Sequence, residues 1–380
     1  MFRCIYSLQD FEVADGEHIL QNFLGARWTS HEIVSNELQA EFGAAIDSAL
    51  EEGLKPIRNL MGTLGGRGDP GPLLRNLPVT TGEVLDLQPG AKPRLREPVI
   101  REQSLQDGRI QVNAQLGTQK QLNWVFAQIR ERYPNAQIDE AQAASSARTA
   151  GRFIDGYVTL SVDFGGDDYF RGMLKACFNL LGVNYREVAF QPCFDAVRGF
   201  IKDGVGGSGR FIRWIVSSNR LEAPQLGPAD QAILIVSREK SVEGVVQFFG
   251  DIVHSFQLTD AYDGPPLKCG YIVDPFREAQ PAEDRNPSFE PQNIPEFSKQ
   301  ALTNNASAMA AFQERLQRIV ALYYDRSLKK ITEATVREVL QEHGGAVFTE
   351  QMANEVAERL ARQALRLPRS MGGAPESDDD

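Results

Sequence analysis

Leu38-Gln39-Ala40-Glu41-Phe42-Gly43-Ala44-Ala45-Ile46-Asp47-Ser48-Ala49-Leu50-Glu51-Glu52-Gly53-Leu54 carries an apolar residue at every fourth position. Leu38, Phe42, Ile46, Leu50 and Leu54 therefore fall on one face of a helix, while Glu37, Glu41, Asp47 and Glu51 fall largely elsewhere. Upstream, residues 2–8 and 16–21 read as two short strands, with Ile5 and Ile19 among their apolar positions. The acidic turn from Asp10 to Gly16 separates them and allows a hairpin. Strand, strand, loop, helix is the order predicted for residues 1–55.

Downstream, Gly62, Gly65, Gly66, Gly68, Pro70, Gly71, Pro72 and Pro78, then Gly90, Pro93 and Pro98, predict an irregular linker or arm over 61–107. An α+β domain with a mainly antiparallel sheet is expected over 108–295. It opens with a strand at 109–113 and a helix at about 118–132 that ends before Pro134. A β-rich run follows at 157–162. Next comes a helix through Phe170, Leu174, Cys177, Phe178 and Leu181 that Gly182 would stop, then strands at 232–237, 245–249 and 253–258. Residues 296–370 read as three helices, and 371–380 as a disordered acidic tail.

The chain has 380 residues, 42% of them hydrophobic and 24% charged, which suits a soluble protein of two or three domains. No apolar run is long enough for a membrane span, and the start does not read as a signal peptide, so the cytoplasm is expected. Cys4, Cys177, Cys193 and Cys269 match neither a metal knuckle nor a disulfide framework. The net charge of −11 argues against a nucleic-acid grip over the whole surface. Its distribution is uneven. Residues 1–52 carry ten acids against two bases, whereas residues 53–132 carry twelve Lys/Arg against seven Asp/Glu. A phosphate-facing surface should draw on the second segment, although such a charge run equally serves to solvate a loop.

A Glu17-His18 pair on a short strand ahead of an amphipathic helix is by itself a modest signal, because a single histidine is more often structural than catalytic. The surrounding pattern adds to it. Gly16-Glu17-His18-Ile19-Leu20, then Leu24-Gly25-Ala26-Arg27, Ser35 to Phe42-Gly43, Ile46-Asp47 and Leu54-Lys55-Pro56-Ile57-Arg58-Asn59-Leu60 resemble the HNH endonuclease family over roughly residues 3–68. Phe164-Gly165-Gly166, Arg171 to Asn179 and Val197 to Ile201 more loosely resemble the segment that follows such modules in bacterial stand-alone HNH proteins.

The resemblance implies a ββα-metal nuclease module over residues 1–60. It implies His18 as general base and Glu17 as ligand of one Mg²⁺ or Mn²⁺, with Gln39 at the family's asparagine position. Asn36, Ser30 and His31 lie close enough to assist, and each also suits a loop or helix-start role, Asn36 as an N-cap. Arg27, Lys55, Arg58 and Arg67 are the expected nucleic-acid contacts, with DNA ahead of RNA. Of the family's four zinc cysteines only Cys4 remains, with Ser7, Ser35 and Leu38 at the other positions, so no structural zinc is expected. Packing of Leu38, Phe42 and Ile46 against Ile5 or Ile19 could replace it.

The functions implied are a metal-dependent endonuclease, in one version a defence effector silent until a partner or signal assembles it, the partner being another protein or a second copy, or a decayed module that binds nucleic acid or protein. His254 and His343 read as structural. Gly204 to Gly209 with Arg210 and Arg213 reads as a loop rather than a phosphate cradle, since the Gly-Lys-Ser/Thr ending of a P-loop is missing. Arg148, Arg152 and Lys175 could line a groove, with nothing to fix them to one face.

Overall fold

The computed structural model describes residues 1–12, 14–106, 109–118, 120–135, 137–146, 156–160, 164–214, 221–276, 306–345 and 347–364. The predicted tail at 371–380 lies outside them. In chain order the elements begin with β1 (Phe2–Arg3), β2 (Asp10–Phe11), β3 (Glu17–His18), β4 (Thr29–Ser30), α1 (Asn36–Phe42) and α2 (Ser48–Met61). Next come β5 (Leu74–Pro78), β6 (Val84–Gln88), β7 (Lys92–Leu95), β8 (Val99–Ser104), β9 (Ile110–Gln115), α3 (Lys120–Arg132) and α4 (Glu140–Ser146). Then follow α5 (Asp167–Asn184), α6 (Arg186–Ala189), α7 (Asp195–Asp203), β10 (Ile212–Trp214), β11 (Gln231–Arg238), β12 (Ser241–Phe248), β13 (Ile252–Thr259), β14 (Lys268–Val273), α8 (Ala306–Glu342) and α9 (Glu350–Ala364). The protein is thus mixed α and β, with antiparallel sheets and C-terminal helices.

The chain divides into two compact units, Met1–Gly71 with Val162–Asp325, and Pro72–Ser161 with Arg326–Asp380. In the first unit the amphipathic run is helical throughout, through α1, a π-helical turn at Gly43–Asp47 and α2. All five residues of the predicted stripe are buried. Leu38, Phe42 and Ile46 thus bury as Ile5 and Ile19 do, with the Tyr6 ring edge-on to Phe42 at 4.9 Å. The upstream strands differ from expectation. A tight return, in which the Cys4 N–H donates to the Gln9 carbonyl at 2.8 Å and Leu8 has φ 59°, brings β1 back onto β2. β3 pairs instead with β4.

Helix α5 is the centre of this unit, packing on α2 and the π turn as well as on β11, β12 and β14. Gly182 does not stop it. A Cβ there would lie 2.7 Å from Ile5 Cδ1, so the glycine is a close-packing site inside a helix that runs on to Asn184. The sheet has the order β10-β13-β12-β11-β14 and is antiparallel throughout. On the first of its faces Gly244 admits Cys177, whose Sγ would be 2.7 Å from a Cβ at that position. On the opposite face Leu221 closes a cluster with Ala232, Leu234, Val245 and Val253. The strands read at 232–237, 245–249 and 253–258 are β11, β12 and β13, and β10 and β14 are additions to them.

In the second unit the Gly/Pro-rich segment is more regular than expected. β5, β6 and β7 form a three-stranded sheet, because Leu74, Leu85 and Leu87 give it one buried face, and β8 pairs with β9. The β-rich run at 157–162 contributes a single bridge among the described residues, Val158 to Val79. Among the described residues beyond Pro295 two helices replace the predicted three, since no glycine or proline interrupts residues 306–342. Val339, Met352 and Val356 join the end of α8 to α9.

Candidate functional site

Successive strand residues point to opposite faces, and β3 follows that rule with no bulge between Glu17 and His18. Glu17 turns into the core, 3% exposed, and its Oε1 accepts from Lys175 Nζ at 2.6 Å and from Asn179 Nδ2 at 3.2 Å. Lys175 Nζ also donates to Asp47 Oδ2 at 2.6 Å. The other oxygen of Asp47 accepts from Gln21 Nε2 at 3.0 Å, and Gln21 Nε2 is also 2.9 Å from the Gly172 carbonyl. Tyr6 donates its hydroxyl to Asn179 Oδ1 at 2.7 Å, while Asn179 Nδ2 also reaches the His18 carbonyl at 3.0 Å. The Phe42 ring centroid lies 5.4 Å from Nζ. One ammonium thus stands between two carboxylates in the core.

The electrostatics follow from that count. Burial alone would lower the Lys175 ammonium, but Asp47 and Glu17 outweigh it and hold the group above its ordinary value. Burial raises Glu17, an effect that Lys175 opposes and Asp47 reinforces. Burial likewise pushes Tyr6 well up. His18 goes the other way: burial, then the charges of Arg67 and Lys175, lower it to about 4. Its imidazole is therefore neutral at pH 7, and both ring nitrogens are buried with no hydrogen-bond partner among the described residues.

The remaining predicted residues are dispersed in role. Gln39 Nε2 donates to the Gly16 carbonyl at 3.1 Å and fixes the entry to β3. Asn36 is the first residue of α1 rather than its N-cap, which is Ser35. Its Oδ1 accepts the Asp15 N–H at 2.7 Å. Ser30 Oγ accepts from the Glu32 N–H, and His31 Nδ1 donates to the Ala14 carbonyl. Arg27 Nε donates to the Gly66 carbonyl at 2.7 Å, Lys55 pairs with Glu52, and Arg58 is buried on Glu51 with the Phe23 ring 5.1 Å away. Arg67 is exposed.

A divalent cation at Glu17 and Gln39 does not fit this arrangement. The Glu17 carboxylate already holds an ammonium, and Gln39, whose Nε2 donates to the Gly16 carbonyl, has only its amide oxygen to offer a cation. Among the described residues no group of three or more His, Cys, Asp or Glu side chains gathers to hold a metal. At the zinc positions, Cys4 is a buried free thiol and Leu38 a core residue. The Gly204–Gly209 loop is occupied as well: the Ser208 N–H donates to Asp167 Oδ1 at 3.0 Å, and Arg213 bonds Gln257. His343 Nε2 lies 3.1 Å from Glu355.

Sequence reading missed Tyr6, Gln21, Asp47 and Asn179, and gave Lys175 only a tentative groove. The available signal was a lysine inside the apolar run Met173-Leu174-Lys175-Ala176-Cys177-Phe178, since a fully buried lysine needs an acidic partner. No family model, curated protein or solved structure matches the chain.

Proposed function

We propose that residues 1–60 are an HNH-like ββα module that no longer cuts, and that the protein binds nucleic acid without hydrolysing it. The observation that carries this reading is the sequestration of Glu17: a carboxylate 3% exposed and held by Lys175 and Asn179 is withdrawn from metal ligation. Binding would rest on exposed cations that form no ion pair among the described residues, Arg67 in the first unit and Lys92 on β7 in the second. Their charge attracts phosphates against a net −11 background, so affinity should fall steeply with salt.

A second reading, Mg²⁺- or Mn²⁺-dependent hydrolysis with His18 as base, has its own support in a neutral and unpartnered imidazole. It requires Glu17 to leave Lys175. The two separate in one experiment, in which labelled DNA and RNA are incubated with the protein, with Mn²⁺ or EDTA, and followed for binding and cleavage. Salt-sensitive binding with intact substrate supports the first reading. Metal-dependent cleavage lost in His18→Ala replaces it with the second.

A further inference from the structure

The Glu17-Lys175-Asp47 cluster is assembled for a covalent step as well as for an ion pair. Lys175 Nζ lies 2.6 Å from Asp47 Oδ2 and 2.6 Å from Glu17 Oε1, and the lysine and glutamate side chains are 2% and 3% exposed. Asp47 is the only member with access to solvent, at 23%. Its Oδ1 is held at 3.0 Å by Gln21 Nε2, a donor positioned to polarise the carbonyl and to stabilise an oxyanion formed there. Asn179 and Tyr6 hold Glu17 and each other in place, and Phe42 covers the nitrogen. Two carboxylates sharing one ammonium leave a net negative charge in the core, and desolvating each ion costs several kcal/mol. Condensation removes one ammonium and one carboxylate together, and exclusion of bulk water disfavours the reverse hydrolysis.

We propose that Lys175 and Asp47 join in an intramolecular amide bond, with Glu17 as the proton carrier. Glu17 takes a proton from the ammonium, and the free amine attacks Asp47 Cγ. The C–N bond forms as the C–Oδ2 bond breaks. Of the three protons on Nζ one stays on the amide nitrogen, while two pass through Glu17 to Oδ2, which departs as water through the exposed edge of Asp47. No oxidant, reductant or further reactant enters. In the product the amide oxygen keeps the Gln21 donor and the amide N–H faces Glu17, so every group of the cluster stays satisfied. The bond ties α5 to the π turn at Gly43–Asp47 and leaves Glu17 buried against Asn179 and the new amide N–H.

Intact mass spectrometry of the denatured full chain tests this directly. The wild type is expected to be lighter than its sequence mass by one water, after allowance for removal of Met1. Tryptic digestion is expected to give a branched peptide joining the segments that contain Asp47 and Lys175, with no cleavage after Lys175. Lys175→Arg should restore the full mass. Glu17→Gln should restore it while circular dichroism and gel filtration report a folded protein. A folded wild type at its full sequence mass overturns the proposal. So does a chain lighter by one water that trypsin still cuts after Lys175, since that product is a succinimide at Asp47-Ser48. An undiminished cross-link in folded Glu17→Gln overturns the role of Glu17.

Discussion

The two faces of α5 hold their partners by opposite means. Toward the N-terminal module it presents Lys175 and Asn179, and the contact is a polar network closed by Glu17, Asp47, Gln21 and Tyr6. Toward the five-stranded sheet it presents Cys177, Tyr169 and Phe170 to Gly244, His254 and Phe256, and the contact is almost wholly apolar. The apolar face loses stability in proportion to the volume disturbed. The polar face is all-or-none, because removing one ion strands the others in the core.

The sharpest way to break the comparison is Lys175→Met. It leaves Glu17 and Asp47 unpaired, and the expected loss is about 3–5 kcal/mol, read as a fall in the urea midpoint. Glu17→Gln with Asp47→Asn in the Lys175→Met background removes both stranded charges and should recover part of that loss. A triple variant no more stable than Lys175→Met would mean that the polar face behaves like the apolar one.

On the sheet side, Gly244→Ala forces a Cβ to within 2.7 Å of Cys177 Sγ and should cost about 1–3 kcal/mol. Cys177→Ala opens the space that this Cβ needs. The double variant is therefore expected to be more stable than the sum of the two single losses, and simple additivity in a double-mutant cycle would refute the packing argument.

Each face also buries a histidine whose ring nitrogens have no hydrogen-bond partner among the described residues. His18 is lowered to about 4 and His254 to about 3, by burial first in both cases, with Arg315 adding to the effect at His254. Below the ordinary histidine value the unfolded chain takes up protons that the folded chain refuses. Stability should therefore fall as pH drops from about 6.5, by up to about 1.4 kcal/mol per pH unit for each histidine. The loss continues to about 4 for His18 and about 3 for His254. Asp230, raised by burial to about 6, opposes this trend in the same range, so the informative quantity is the difference between wild type and variant. His254→Phe and His18→Ala should flatten the urea midpoint by similar amounts between pH 6.5 and 5, and His254→Phe by more below pH 5, because folded His18 takes up its proton at about 4 and His254 only at about 3.

The contrast between the faces also explains what could be read in advance. The stripe Leu38 to Leu54 was legible because burial of one helix face writes a local period into the sequence, and β11, β12 and β13 were legible as runs of β-branched residues. The pairing of β3 with β4 was not, since two-residue strands carry no period and the Cys4-to-Gln9 return is backbone chemistry. Gly182 misled because a close-packing glycine and a terminating one look alike without the Ile5 that fills the gap. The site was half legible. The pattern around Glu17 and His18 marked one strand of the candidate cluster, but Lys175 lies 128 residues beyond Asp47 in the chain, and nothing local in either segment encodes the other.

The smallest effect separates ion pairs by burial rather than by distance. Lys55 meets Glu52 at 2.9 Å, close to the 2.6 Å of Lys175 with Asp47, yet the Lys55 and Glu52 side chains are 32% and 72% exposed against 2% and 23%. Water already solvates the first pair and salt screens it, so Lys55→Ala should change stability by no more than about 0.5 kcal/mol. The same urea midpoints, repeated in 1 M NaCl, should close even that gap while leaving the Lys175→Met loss nearly intact, because the Debye length of about 3 Å screens only charges that ions can approach. Equal salt sensitivity of the two variants would place Lys175 in contact with solvent and remove the basis for treating its face of α5 as all-or-none.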